Sequence, residues 1–121
     1  MAYSEHQIER IEHIFRQKNV SAIGKKFMGG YCFFLDDKMC VGMDIDKKTG
    51  KDRLMARIGE EAIEEALTKQ GCRPMDITGR PMKGFVFIDP EGFDLDDELE
   101  YWIELAVNFN PKAKSGKRRK K

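Results

Sequence analysis

Hydrophobic positions along the chain change their period in a way that separates helices from strands. Ile8, Ile11, Ile14 and Phe15 recur at helical spacing, and the spacing predicts a first helix from about Ser4 to near Asn19. Ser4 with Gln7 three residues on reads as a capping box, and Tyr3 with Ile8 as the hydrophobic staple around it. From Ile23 to Ile58 the period is two. Met39, Val41, Met43 and Ile45 alternate with Cys40, Gly42, Asp44 and Asp46, as in a half-buried strand. Tyr31, Phe33 and Leu35 form the strand before it, and Leu54, Ala56 and Ile58 the strand after it. Ile23 to Met28 is a further candidate strand. Connections this short suit an antiparallel meander, because parallel pairing needs a long crossover.

The helical period returns over about Glu60 to Gln70, with Ala62, Ile63, Ala66 and Leu67 facing inward and Gly71 as a left-handed terminator. Phe85-Val86-Phe87-Ile88 is apolar without alternation, the mark of a strand covered on both sides or near a sheet centre. Asp89-Pro90-Glu91-Gly92 stops it with a type I turn. A last helix runs roughly from Leu95 to Phe109, with Asp96, Asp97 and Glu98 in the favourable first turn. The predicted fold is α+β, an antiparallel β-sheet of about five strands with three helices packed on it, in the order α-β(3-4)-α-β(1-2)-α. It occupies residues 1–110 as a single domain, and 111–121 is expected to be a disordered basic tail.

Charge sharpens that division. The net formal charge is +1, but the tail KAKSGKRRKK holds seven Lys/Arg and no acid, which leaves 15 basic against 21 acidic residues, or −6, elsewhere. A basic tail on an acidic body is an interaction-tail pattern. Lys112, Lys114, Lys117, Arg118, Arg119, Lys120 and Lys121 are the candidates for salt-sensitive phosphate contacts with nucleic acid. No aromatic is interleaved among them, so base stacking is not expected there. There is neither a secretory signal nor an apolar run long enough to span a membrane, and a cytoplasmic location is the expectation.

Candidate chemistry is sparse. Cys32, Cys40 and Cys72 show no C-x-x-C spacing and are expected to be free thiols. A three-residue turn at 36–38 puts Leu35 opposite Met39, with Cys32 and Cys40 on one side; a two-residue turn at Asp36-Asp37 puts the sulfurs on opposite faces. The first is favoured, because it collects Tyr31, Phe33, Leu35, Met39, Val41 and Met43 on one face. His6 and His13 lie on one side of the first helix and read as surface residues, not metal ligands. Asp44, Asp46 and Gly50 suggest a calcium loop, but Lys48, Thr49 and Met55 occupy its fifth, sixth and twelfth positions. IGKKFMGG lacks the spacing and hydroxyl of a phosphate loop. No catalytic residue, metal or cofactor is assigned, and an enzyme of unrecognised type is kept only as an alternative.

One stretch invites a site. RPMDITGRPMKG presents Arg-Pro-Met twice, and each proline holds the arginine before it in extended backbone. With a type I turn at Asp76-Ile77-Thr78-Gly79, it reads as two extended arms feeding the strand 85–88, with Met75 and Met82 filling gaps at the sheet edge. That connector reading is favoured. The functional reading is an anion or partner site made of Arg57, Arg73, Arg80 and Lys83.

KKFMGGYCFFLDDKMCVGM, DRLMARIG, RPMDITGRPMKGFVFIDPEG and ELEYWIELAVNF together resemble the N-terminal domain of the TfoX/Sxy family, over about residues 4–110. The most distinctive part is Gly79-Arg80-Pro81-Met82-Lys83-Gly84, then an aromatic strand and Asp89-Pro90-x-Gly92. The resemblance implies a small bacterial α+β domain without established catalytic residues. It also implies a coactivator of DNA-transformation competence genes, acting with the cyclic-AMP receptor protein at promoters. Full-length competence regulators carry a helical C-terminal domain, and the basic tail stands in its place here. A non-enzymatic regulatory or adaptor domain is therefore expected, with a protein partner from the transcription machinery. Nucleic acid through the tail is the second expectation, and an unpaired sheet edge leaves homodimerisation open.

Overall fold

The computed structural model describes residues 3–27, 29–77 and 80–112, with 76–77 and 80–82 described by their backbone alone. The elements are α1 (Glu5–Gln17), β1 (Ile23–Phe27), β2 (Gly30–Leu35), β3 (Lys38–Ile45), β4 (Asp52–Arg57), α2 (Glu60–Ala66), β5 (Cys72–Ile77), β6 (Arg80–Ile88) and α3 (Asp96–Phe109). Single 3-10 turns at Pro90–Gly92 and Asn110–Lys112 flank α3. All six strands join one antiparallel sheet in the order β1-β2-β3-β4-β6-β5. The α+β class and the element order match the periodicity, with six strands in place of about five.

The three helices share one side of the sheet. Their apolar stripes (Ile8, Ile11, Ile14 and Phe15 from α1; Leu99, Trp102, Ile103 and Ala106 from α3; Ala66 from α2) enclose Phe33, Val41, Met43, Leu54, Val86 and Ile88. Trp102 donates its indole N–H to the Gly92 carbonyl at 2.9 Å, so its one polar atom is satisfied inside the core. As the unalternating FVFI predicts, β6 lies inside the sheet, between β4 and β5. Val86 and Ile88 point to the helices, and Phe87 to the other side.

The hairpin of β2 and β3 corrects the sequence reading. Asp36 and Asp37 both take positive φ (59° and 65°), making a two-residue turn in which Leu35 faces Lys38 and Phe34 faces Met39. A register shift then brings Phe33 opposite Val41, so Cys40 is the extra residue of a β-bulge. The short turn sends Met39 to the helix-free side, while the bulge restores Tyr31, Phe33, Val41 and Met43 to the helix side. Cys40 lies in the main core and Cys32 in the cluster on the opposite face, contrary to the favoured placement.

Three further expectations shift. Ser4 is the N-cap of α1, but its side chain makes no cap bond. Gln7 is engaged elsewhere, donating to Asp52 (3.3 Å) and accepting from Arg10 (2.9 Å). Helix α2 stops at Ala66, short of Gln70: the Thr68 hydroxyl captures the Glu65 carbonyl at 2.6 Å, and the backbone tightens into a Lys69-to-Ala66 bond. Gly71 then takes the predicted positive φ, 82°. Finally, the RPM arms are not a connector but strands, β5 and the first part of β6, with Ile77 opposite Arg80. Pro74 sits on the edge strand, and Pro81 lies where β6 has β5 as its sole partner, positions that tolerate a missing N–H. Of the turn predicted over 76–79, Thr78 and Gly79 lie outside the described residues, as does the Met82 side chain.

Candidate functional site

Two places gather the residues singled out for binding. The first is the helix-free face of the sheet. Cys32, Met55, Met75 and Phe87 are buried there, with Phe34, Met39 and Phe85 packed beside them. A Cβ on Gly42 would lie 2.8 Å from the Cys32 sulfur and 2.9 Å from the Met55 methyl, so only glycine lets these two sulfur-bearing chains meet over β3. Cations roof the cluster. The guanidiniums of Arg53 and Arg73 lie 3.8 and 5.3 Å from the Phe87 ring centre, Arg57 lies 5.3 Å from Phe85, and Lys25 lies 4.7 Å from Phe34.

Two of these cations are bound by acids. Arg73 takes both oxygens of Asp89 (3.0 and 2.9 Å) and reaches Asp46 at 3.0 Å, while Arg53 takes both oxygens of Asp44 (3.0 and 2.8 Å). Asp46 also accepts the backbone N–H of Lys48 at 2.9 Å. That bond, followed by the charges of Arg53 and Arg73, holds its carboxyl below the ordinary value against the opposing effect of burial. The chain Asp44–Arg53–Asp46–Arg73–Asp89 thus ties β3, β4 and β5 to the end of β6.

The second place is a trough of about 560 Å³ where four elements end. Arg57 closes β4, Lys83 and Gly84 come from the bend of β6, Glu60 and Glu61 open α2, and Leu105 and Phe109 come from the last turns of α3, with Lys112 just beyond. Its floor is locked by backbone: the Gly84 carbonyl accepts the N–H groups of Ile58 (2.8 Å) and Gly59 (3.0 Å). Gly59 holds φ 89°, and a Cβ there would lie 2.5 Å from the Phe109 ring, so the close seat of α3 needs glycine at this point. Burial pulls the Arg57 pKa down, because its charge is partly removed from water. Among the described residues, no carboxylate pairs with Arg57, Lys83 or Lys112.

Of the four residues predicted as an anion or partner site, Arg57 and Lys83 therefore share one trough. Arg73 does not line it and is bonded to Asp89 and Asp46; the side chain of Arg80 lies outside the described residues. Lys112, assigned from sequence to the tail, joins the trough instead. Lys114, Lys117, Arg118, Arg119, Lys120 and Lys121 lie outside the described residues. Sequence reasoning missed Phe109 as a neighbour of Arg57, since only the seat of α3 against Gly59 brings it there, and missed Glu60 and Glu61, which follow Arg57 across the Gly59 turn.

The remaining reactive groups are quiet. Burial pushes Cys32 and Cys40 up to about 12 and Cys72 to about 11, so all three are protonated thiols at neutral pH. His6 and His13 are exposed and line a second cleft, of about 460 Å³, with Glu9, Asp96, Asp97 and Glu100. Among the described residues, no three His, Cys, Asp or Glu side chains are placed to hold a metal ion. No helix among them is long and apolar enough to cross a membrane.

These features define a small α+β module, three helices on one face of a six-stranded antiparallel sheet, with a cation-roofed second face and a mixed-charge trough at one end. The family model described as the TfoX N-terminal domain matches residues 17–110, and the chain belongs to that family. The match takes in every strand, α2 and α3, and leaves all of α1 but its last residue outside. No curated protein and no solved structure matches the chain.

Proposed function

We propose that this chain is a non-enzymatic regulatory or adaptor domain that acts through protein contacts in the control of transcription. Membership of the TfoX N-terminal domain family over residues 17–110 carries the reading. The competence regulators that the sequence resembles supply the process: activation of DNA-transformation genes together with a cyclic-AMP receptor protein-like regulator. The surface supports a contact role. Edge strand β1 exposes Ile23 (67%) and Phe27 (42%) beside a backbone edge that, among the described residues, pairs with no further strand. Crosslinking and mass spectrometry in the native cell test the reading, alongside competence-gene transcripts in a deletion strain. Crosslinks to a transcription regulator and a fall in those transcripts are expected. Unchanged transcripts and an absence of such crosslinks would overturn it.

A second reading is favoured by the composition of the tail, seven Lys/Arg with no acid. Nucleic acid would then be held through phosphates, with affinity falling steeply as salt rises. Truncation after Pro111 separates the two, because DNA and RNA binding at low salt that survives truncation dismisses the tail.

A further inference from the structure

The trough at the end of β4 holds cations that, among the described residues, no carboxylate pairs. Arg57 is half-buried, and the ring of Phe85 beneath it gives a cation–π contact but no counter-charge. A guanidinium partly withdrawn from water and lacking a carboxylate is a site where an arriving anion gains more than at an exposed cation, because the local dielectric screens less. Lys83 and Lys112 stand exposed on the rim and place two more positive charges around the same opening. Glu60 and Glu61 also stand on the rim, as exposed as Lys83 and Lys112, so the four screened rim charges largely offset one another and the half-buried Arg57 sets the sign.

The floor adds a second requirement. Ile58, Ala62, Leu105 and Phe109 offer apolar surface next to Arg57. A ligand that satisfies both parts carries a carboxylate next to a compact apolar group. The open rim, with four charged side chains in water, suits an extended segment laid across it better than a small molecule that needs enclosure. The chain's own tail has the wrong sign for Arg57, Lys83 and Lys112.

We infer that the trough lined by Arg57, Lys83, Lys112 and Phe109 is a docking site for an acidic–apolar segment of a partner protein. A carboxylate is held by Arg57 and Lys83, and the neighbouring apolar side chain rests on Phe109 and Leu105. This rests on the protein-contact reading above and specifies the partner's recognition element.

The probe is the N-acetylated, C-amidated peptide Glu-Leu-Glu-Leu-Glu, titrated into the full chain while backbone amide shifts are followed by NMR. Saturable shifts confined to residues 57–62, 83–84 and 105–112 are expected. The Arg57→Gln/Lys83→Gln double variant should weaken binding by about tenfold or more, which corresponds to about 1.4 kcal/mol. Where Arg57→Gln disturbs folding, Lys83→Gln alone carries the test, since Lys83 is exposed. The control Gln-Leu-Gln-Leu-Gln should not bind. Absent or scattered shifts, equal binding by the control, or undiminished binding by the variants would each overturn the site. Equal affinity for 4-methylpentanoate would also overturn it, by making the trough a small-acid pocket. In cells the two readings separate. If the double variant keeps every crosslink of the parent chain, the trough is dismissed and the contact reading stands. If the peptide binds as described but the parent chain crosslinks to no transcription regulator, the reverse holds.

Discussion

The two faces of the sheet bury apolar side chains by different means. On one face three amphipathic helices cover Val41, Met43, Leu54, Val86 and Ile88, and the hydrophobic effect acts over a continuous two-layer core. On the other, Cys32, Met55, Met75 and Phe87 are as thoroughly buried, yet their cover is the long side chains of neighbouring strands. Arg53 and Arg73 lay guanidiniums against Phe87, and their charges are returned to Asp44, Asp46 and Asp89. A helix supplies area without charge. A cationic roof supplies area only with counter-ions to hold it in place, and among the described residues Arg57 is the guanidinium of this roof that no carboxylate pairs.

The contrast makes graded predictions. Trp102→Ala, on the helix-covered side, should destabilise by about 3–5 kcal/mol, read as a drop in the urea midpoint. Met55→Ala should cost about 2 kcal/mol, the low end for a buried methionine, because its cover is flexible side chains that can settle into the gap. A larger loss at Met55 than at Trp102 would reverse the ranking of the two faces.

Arg73→Ala should cost about 1 kcal/mol, since the residue is partly exposed and its pairs are screened. That loss should depend on pH. Asp46 has its carboxyl held below the ordinary value in the folded chain, so its stabilising contribution is present above the unfolded carboxylate pKa and vanishes as acid protonates the folded form. Arg73→Ala and the parent should therefore converge in stability on the acid side. A constant gap between them down to low pH would mean that the network does not act through charge.

The smallest effect at neutral pH concerns the thiols, which serve both faces. Cys32 and Cys40 rise from 9.0 to about 12 on folding, so between those values the unfolded chain binds fewer protons and stability falls as pH rises. At pH 8 the folded chain should resist alkylation, with Cys72, partly exposed and raised only to about 11, modified first. Rapid modification of Cys32 without unfolding would show that the cationic roof opens freely.

Much of the fold was legible because its signals are local. Period 3.6 in α1 and α3, period two in β4 and in β3 beyond its bulge, and the turn at Asp89-Pro90-Glu91-Gly92 each depend on a few consecutive residues, and each appears as read. The misses came where two local solutions compete. The β2–β3 turn closes with two residues instead of three, and the bulge at Cys40 absorbs the difference, so most of the predicted face survives although Met39 and Cys40 exchange sides. The capping box at Ser4 lost Gln7 to Asp52, a partner 45 residues away. Of the residues grouped from sequence, Arg57 and Lys83 line one trough, whereas Arg73 is drawn to two aspartates that no spacing connects to it.

By itself, then, the chain's pattern of apolar and polar positions determined the α+β class, the order of the elements and the inward-facing sides of α1 and α3. Those properties follow from side-chain periodicity and backbone preference, which act over a few residues at a time. The strand order with β6 beside β4, the face each cysteine occupies, the acids that claim Arg53 and Arg73, and the lack of a carboxylate partner for Arg57 among the described residues were decided only in three dimensions. Each is a competition among partners far apart in sequence, and it is settled by which groups the folded sheet brings within bonding distance.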